Sequence, residues 1–284
     1  RLILKTIAWR YDIGEIKFAL ADLLIGRNDP GDFEEASKLY DQILKVAPDG
    51  YLKAKVLSGQ AEILIASPKP ADVETALEFC DEAMELIDGD ESDFFLCKAI
   101  IVKAELLLKR AIGGDRARAI KLFEHIVKSK KANWYFKARA QIGLAELISY
   151  SKPKDVSRGI KLCDEALEAL KERTHDYFTT KAKVVKGELL TRRAHEKDFK
   201  QALQIFRSIL RDSDQLHKDL VARSKLDMSE LPDYSDAEKL YGEVSQDVGL
   251  DPYLIQKARQ IEQGQARRGP SSGTSVGRRA RRND

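Results

Sequence analysis

The sequence predicts an all-α fold, a solenoid of stacked antiparallel helix hairpins, and three observations carry that prediction. A small residue, an acid and two aliphatics recur every 40–43 residues, as Ala21-Asp22-Leu23-Leu24, Ala61-Glu62-Ile63-Leu64, Ala104-Glu105-Leu106-Leu107, Ala145-Glu146-Leu147-Ile148 and Gly187-Glu188-Leu189-Leu190. A second small residue follows 14 or 15 positions after each marker, at Ala36, Ala76, Ala119, Gly159 and Ala202. Turn-forming residues separate the two patterns, and no stretch alternates as a strand would. Self-similarity at a period of this length signals a repeat architecture in which each unit is one supersecondary element.

Each unit is two helices, A and B. Ten residues before the first marker stand Tyr11, Tyr51, Phe94, Tyr135 and Tyr177, and seven before it Gly14, Ala54, Cys97, Ala138 and Thr180. With the marker these form one helical stripe, the expected core face of A. In B, four residues after the second marker come Tyr40, Cys80, Phe123, Cys163 and Phe206, and seven after it Ile43, Ala83, Ile126, Ala166 and Ile209, again one face. The breaks between A and B are Asp29-Pro30-Gly31, Pro68-Lys69-Pro70, Gly113-Gly114-Asp115 and Ser151-Lys152-Pro153. Ala or Gly at the crossing lets the A and B backbones approach, and larger residues beside it fill the groove. One hairpin cannot bury its apolar stripe alone, so the units must stack.

Along the chain, residues 1–9 read as the end of a preceding helix or repeat, because Ile3-Leu4-Lys5 falls on Ile43-Leu44-Lys45 when Tyr11 is aligned with Tyr51. Residues 10–249 are the solenoid, five clear hairpins and a degenerate sixth that keeps Ala222, Ala237, Tyr241 and Val244 but has no acid after Ala222. Residues 250–263 read as a capping helix, and 264–284 as a basic tail expected to be disordered. The formal net charge of +3 for 284 residues conceals this division, since the tail holds a surplus of five positive charges and the body is faintly acidic.

These hairpins resemble the tetratricopeptide repeat family, on the small residue at the crossing of A and on the Ala36-x-x-x-Tyr40-x-x-Ile43 and Ala119-x-x-x-Phe123-x-x-Ile126 pattern of B. Leu24, Leu64, Leu107, Ile148 and Leu190 stand where the family keeps a bulky residue late in A, and Pro48 where it often closes a repeat. The match runs from about Tyr11 to Val248. It departs from the family in its longer period, in lacking the early Trp of A, and in having the closing Pro once. The resemblance implies a right-handed superhelix whose A helices line a concave groove that binds protein segments. The family's clamp for chaperone C-terminal carboxylates needs Lys and Asn in successive A helices; the asparagines here are Asn28, Asn133 and Asn283, in loops and tail, which speaks against it.

Positions six before and one after the first marker share a helix face. They hold Lys55, Lys98, Arg139 and Lys181, with Glu15 in the first unit, and Asp22, Glu62, Glu105, Glu146 and Glu188. Stacking sets these in two ladders, one basic and one acidic. Two roles are open to them: a polar groove that recognises a segment carrying both signs, or a face whose charges pair between neighbouring A helices. Phe95 and Trp134, outer members of the aromatic clusters that open successive A helices, are further candidate contacts.

Catalytic patterns are missing: there is no phosphate-binding G-x-x-x-x-G-K-[ST], no G-x-S-x-G and no H-E-x-x-H. Four histidines are scattered, and Cys80, Cys97 and Cys163 sit at core positions of the repeat, so neither catalysis nor a cofactor or metal is expected. No window approaches 18 uncharged apolar residues and no export signal is visible at the start, which makes the cytoplasm the expected location, without membrane partners. The expected function is a non-catalytic scaffold holding a protein or peptide segment in its groove. Arg278, Arg279, Arg281 and Arg282 supply the alternative, a tail that contacts an acidic partner or nucleic acid, with a nuclear location. A third class is the regulatory domain of a larger enzyme.

Overall fold

The computed structural model describes residues 2–27, 31–46, 50–65, 69–87, 89, 93–148, 153–173, 176–231, 234 and 236–268, as backbone alone at 2–12, 27, 148, 153–154 and 264–268. Among them are thirteen α-helices and no strand: α1 (Leu2–Arg27), α2 (Asp32–Leu44), α3 (Gly50–Ile65), α4 (Pro70–Leu86), α5 (Phe94–Arg110), α6 (Asp115–Lys128), α7 (Trp134–Ile148), α8 (Pro153–Ala169), α9 (Tyr177–Arg193), α10 (Glu196–Arg211), α11 (Lys218–Ser229), α12 (Ala237–Gln246) and α13 (Pro252–Arg268). Two compact units divide the chain between Arg193 and Ala194, inside what the sequence reads as the fifth hairpin. In the first unit α3, α5 and α7 each pack on the B helices before and after them, and the A helices α1, α3, α5, α7 and α9 touch in succession. In the second, α10 packs on α11, α11 on α12 and α13, and α12 on α13.

Two boundaries differ from the sequence reading. α1 runs unbroken through residue 9, where the sequence reads the end of one helix and the start of another. α13 continues to Arg268, past the expected end of the cap, because Gln265, Ala266, Arg267 and Arg268 are good helix formers that carry the helix across Gly264. The arginines at 278, 279, 281 and 282 lie outside the described residues.

The hairpins alternate in kind, and the true period is a pair of them. Asp32, Asp115 and Asp198 lie in the first turns of α2, α6 and α10 at intervals of 83 residues, and all three are buried. Tyr40, Phe123 and Phe206, and Ile43, Ile126 and Ile209, follow at the same interval and are also buried. The intervening helices α4 and α8 open at Pro70 and Pro153 and bury Val73 and Val156, Cys80 and Cys163, Ala83 and Ala166 instead.

Side-chain volume explains the alternation. Tyr40 of α2 presses against Gly59 of α3, and a Cβ on Gly143 of α7 would stand 2.6 Å from the ring of Phe123 in α6. Only glycine leaves room for those rings. Where the preceding B helix carries Cys80 or Cys163, the same A-helix position is Val102 or Val185, and both valines are fully buried. The turn after α5 is clamped by Arg110, whose guanidinium donates twice to Asp115 and once to Glu74 of α4, each at 2.8 Å. The same Arg-x-x-x-x-Asp spacing stands at Arg27 and Asp32 and at Arg193 and Asp198.

Candidate functional site

The site is built on the A helices of the first unit, and the starts of three of them are fixed by side-chain caps. Asp93 accepts from the N–H groups of Phe95 and Leu96 at 2.8 and 3.0 Å, Asn133 from Tyr135 at 2.9 Å and Asp176 from Phe178 at 2.8 Å. Each cap satisfies donors that the first turn leaves without an intrahelical partner. It also fixes where the following aromatics point.

The two charged ladders interlock. Lys98 Nζ of α5 stands 2.7 Å from Glu62 of α3 and 3.6 Å from Asp22 of α1. Arg139 of α7 holds Glu105 of α5 at 2.8 Å and reaches beyond it to Glu62 of α3 at 2.9 Å. Lys181 of α9 lies 3.1 Å from Glu146 of α7, and Lys55 of α3 lies 2.5 Å from Glu15 of α1. From α5 onward, the base six before the marker thus meets the acid one after the marker in the preceding A helix, so each of these helices is displaced toward the C-terminal end of its predecessor. One guanidinium spanning α3, α5 and α7 means that the ladder edges of these helices converge. Glu188 belongs to the last rung, on α9, and is partly buried.

Depth, which residue spacing does not reveal, separates the two signs at Lys98 and Arg139, though not on the last rung, where Lys181 and Glu146 are 19% and 22% exposed. Lys98 and Arg139 are only 5% and 4% exposed, whereas their partner Asp22 is 53% exposed and Glu62, Glu105 and Glu146 keep part of their surface. Aromatic faces cover two of the ladder cations: Lys55 Nζ sits 4.5 Å from the ring centre of Phe18 and 5.2 Å from that of Phe95, and the Arg139 guanidinium 4.3 Å from that of Phe178. Burial opposes ionisation of Glu62, yet Lys98 and Arg139 outweigh it and hold this carboxyl down at about 2. Burial likewise opposes the charge on Arg139 and Lys181, and their carboxylate partners prevail and raise both.

The aromatics correct the sequence reading. Tyr51, Phe94 and Tyr177, expected in the core, are among the exposed large apolar residues, while the residues just after them turn inward: Leu52 is buried and Phe95 and Phe178 are partly so. The reason is position. The first residues of an A helix lie at the rim, and the next one falls under the preceding A helix, where it meets other side chains. Phe95 packs edge-on against Phe18, Tyr51 and Phe94, with ring centres 5.4, 6.1 and 5.1 Å apart, so it is a sheath for Lys55 more than a surface contact. Trp134 is 49% exposed, with the Arg173 guanidinium 5.6 Å from its ring. Sequence reasoning missed the open row Tyr51, Phe94 and Tyr177; the capping Asp93 and Asp176 were the signal that marks helix starts and hence the rim.

Cys80, Cys97 and Cys163 are buried, and burial pushes the Cys80 thiol up to about 12. Among the described residues no helix is long and apolar enough to cross a membrane. Set beside known protein families, curated proteins and solved structures, the chain matches none.

Proposed function

We propose that this protein is a non-catalytic scaffold of the tetratricopeptide type, whose A-helix wall binds an extended, basic segment of a partner protein. The hairpins of residues 1–193 are read as a right-handed superhelix with that wall on its concave side, a reading supported by the reach of Arg139 across three A helices. The observation that carries the function is the layering of the wall. Lys98 and Arg139 are almost wholly buried, Lys55 and Arg139 lie against aromatic rings, the carboxylates of Asp22, Glu62, Glu105 and Glu146 keep 53%, 23%, 19% and 22% of their surface, and a row of half-open rings at Tyr51, Phe94, Trp134 and Tyr177 borders them. Carboxylates beside open aromatic faces suit lysine and arginine side chains, which gain from both. The segment is therefore cationic, in place of the mixed-charge segment that the ladders suggest in sequence.

The test is binding of fluorescent peptides of about four helical turns in length, one rich in Arg and Lys and one rich in Glu, measured by anisotropy at low and high salt. The basic peptide binds, its affinity falls with salt, and it weakens roughly tenfold or more when Asp22→Asn and Trp134→Ala are combined at two exposed positions, Glu62 remaining as the near partner of Lys98. Equal binding of both peptides, or indifference to the double substitution, defeats the reading.

A further inference from the structure

α5 is held between α4 and α6, and a cleft of about 340 Å³ opens where the three helices meet, a volume within the range of small-molecule sites. α5 lines it with Lys103, Leu107 and Arg110, which share one helix face. Leu77 of α4 and Leu122 of α6 join Leu107 as its apolar part. Its charged part is one-sided: Lys103, Arg110, Arg118 and Lys121 stand against a single lining carboxylate, Asp81. These cations differ in what they already hold. Arg110 donates from all three nitrogens to Asp115 and Glu74, and the Asp115 side chain is fully buried, so this pair belongs to the fold. Arg118 reaches the same carboxylate at 3.1 Å through one nitrogen and is 58% exposed, a second guanidinium on a charge already matched. Lys103 holds Asp81, whose side chain is 53% exposed. Lys121 pairs with no acid among the described residues.

The repeat accounts for the rest of the lining but not for Arg118 and Lys121. One 83-residue period later Asp81, Lys103, Leu107 and Arg110 recur as Asp164, Lys186, Leu190 and Arg193, and Leu77 and Leu122 as Ile160 and Ile205. At the positions of Arg118 and Lys121 that period carries Gln201 and Gln204. The pattern of the repeat therefore calls for neither charge. We propose that the cleft binds a small organic phosphate monoester, its phosphate held by Lys121, Arg118 and Lys103 and its organic group laid against the leucines. Three cationic groups around one cleft suit an anion with three terminal oxygens better than a two-oxygen carboxylate, and such charge-assisted bonds are the strong ones. The phosphate displaces Asp81 from Lys103, and that carboxylate, already half in water, turns outward. The site shares no residue with the charged ladders, so it stands independently of the scaffold reading.

The experiment titrates the full chain with phenyl phosphate, inorganic phosphate and benzoate at constant ionic strength, followed by amide chemical shifts. Phenyl phosphate binds saturably and roughly ten times more tightly than either of the others, because it alone offers both the dianion and the apolar group. Its largest shifts fall in α4, α5 and α6 around the lining residues. Arg118→Gln combined with Lys121→Gln, the residues of the next period, weakens it roughly tenfold or more. Asp81→Asn, a change at an exposed side chain that removes the competing carboxylate, strengthens it severalfold. Absence of saturable binding, equal affinity for the three compounds, shifts centred elsewhere, or a double variant that binds as the parent does overturns the proposal. Unchanged or weaker binding in Asp81→Asn overturns it as well, whatever the double variant does to stability.

Discussion

In α5 nine residues between Cys97 and Leu107 are buried, whereas in α6, its hairpin partner, only Asp115, Ala119, Phe123 and Ile126 are. The cause is the number of neighbours each helix has. α5 is held between α4 and α6 and against α3 and α7, so even its charged Lys98 is drawn inside. α6 is packed along one stripe, and charges on its other side remain in water, as with the pair Lys128 and Glu124 at 3.0 Å. A charge on an A helix held among four neighbours is therefore structural in a way that a charge on the solvent side of a B helix is not, although both look alike in composition.

The sharpest way to break that contrast is to remove one cation from each kind of helix. Arg139→Leu strips two carboxylates, Glu62 and Glu105, of a buried partner, and loss of one member of a buried ion pair costs about 3–5 kcal/mol. Lys128→Ala removes an exposed pair spaced four residues apart on one helix, worth about 0.3–0.5 kcal/mol. Urea unfolding of the two variants measures both, and comparable losses would show that burial does not distinguish the two kinds.

Acid titration tests the same wall without substitution. Glu62 ionises at about 2 when folded against an ordinary value of 4.5, so its folded-state value is depressed. Its contribution is fully present above about 4.5 and is lost as pH falls from there toward 2. A tenfold change in proton affinity corresponds to about 1.4 kcal/mol, so the loss is on the order of 3 kcal/mol. Stability measured from about pH 6 downward drops across that window, and Glu62→Gln flattens the drop. An unchanged slope in Glu62→Gln would place the acid sensitivity elsewhere.

Much of this is legible in the sequence, and what is not has a physical cause. The markers at Ala21, Ala61, Ala104, Ala145 and Gly187 all fall inside A helices, and the residues of the ladders do meet, because helical period alone puts Lys98 and Glu105 on one face. A shared face does not fix depth, so the sealing of Lys98 and Arg139 beneath their carboxylates leaves no trace in the spacing. Nor does the spacing show that Arg139 reaches α3, which depends on how closely three helices converge. Tyr51, Phe94 and Tyr177 lie on the marker stripe and so read as core, but a stripe extrapolated to the start of a helix runs out to the rim. Aligning all hairpins in one register also merges two kinds, since the averaging that exposes a 40–43-residue repeat erases its alternation.

That alternation yields the smallest and most specific test, because it predicts a rescue. Gly143→Val places a side chain where Phe123 already stands, with even a Cβ only 2.6 Å from the ring, and overpacking of this sort costs about 1–3 kcal/mol. Phe123→Cys alone leaves a cavity and costs about 3 kcal/mol by analogy with other large-to-small core changes. Together they install in α6 and α7 the cysteine and valine that α4 and α5, and α8 and α9, already use at these positions. The double variant should then be more stable than the sum of the single losses by about 1–3 kcal/mol, the coupling expected of residues in contact. Additive losses in a double-mutant cycle would mean that the alternation of ring with glycine and cysteine with valine records no packing rule, and that the 83-residue period belongs to the turns alone.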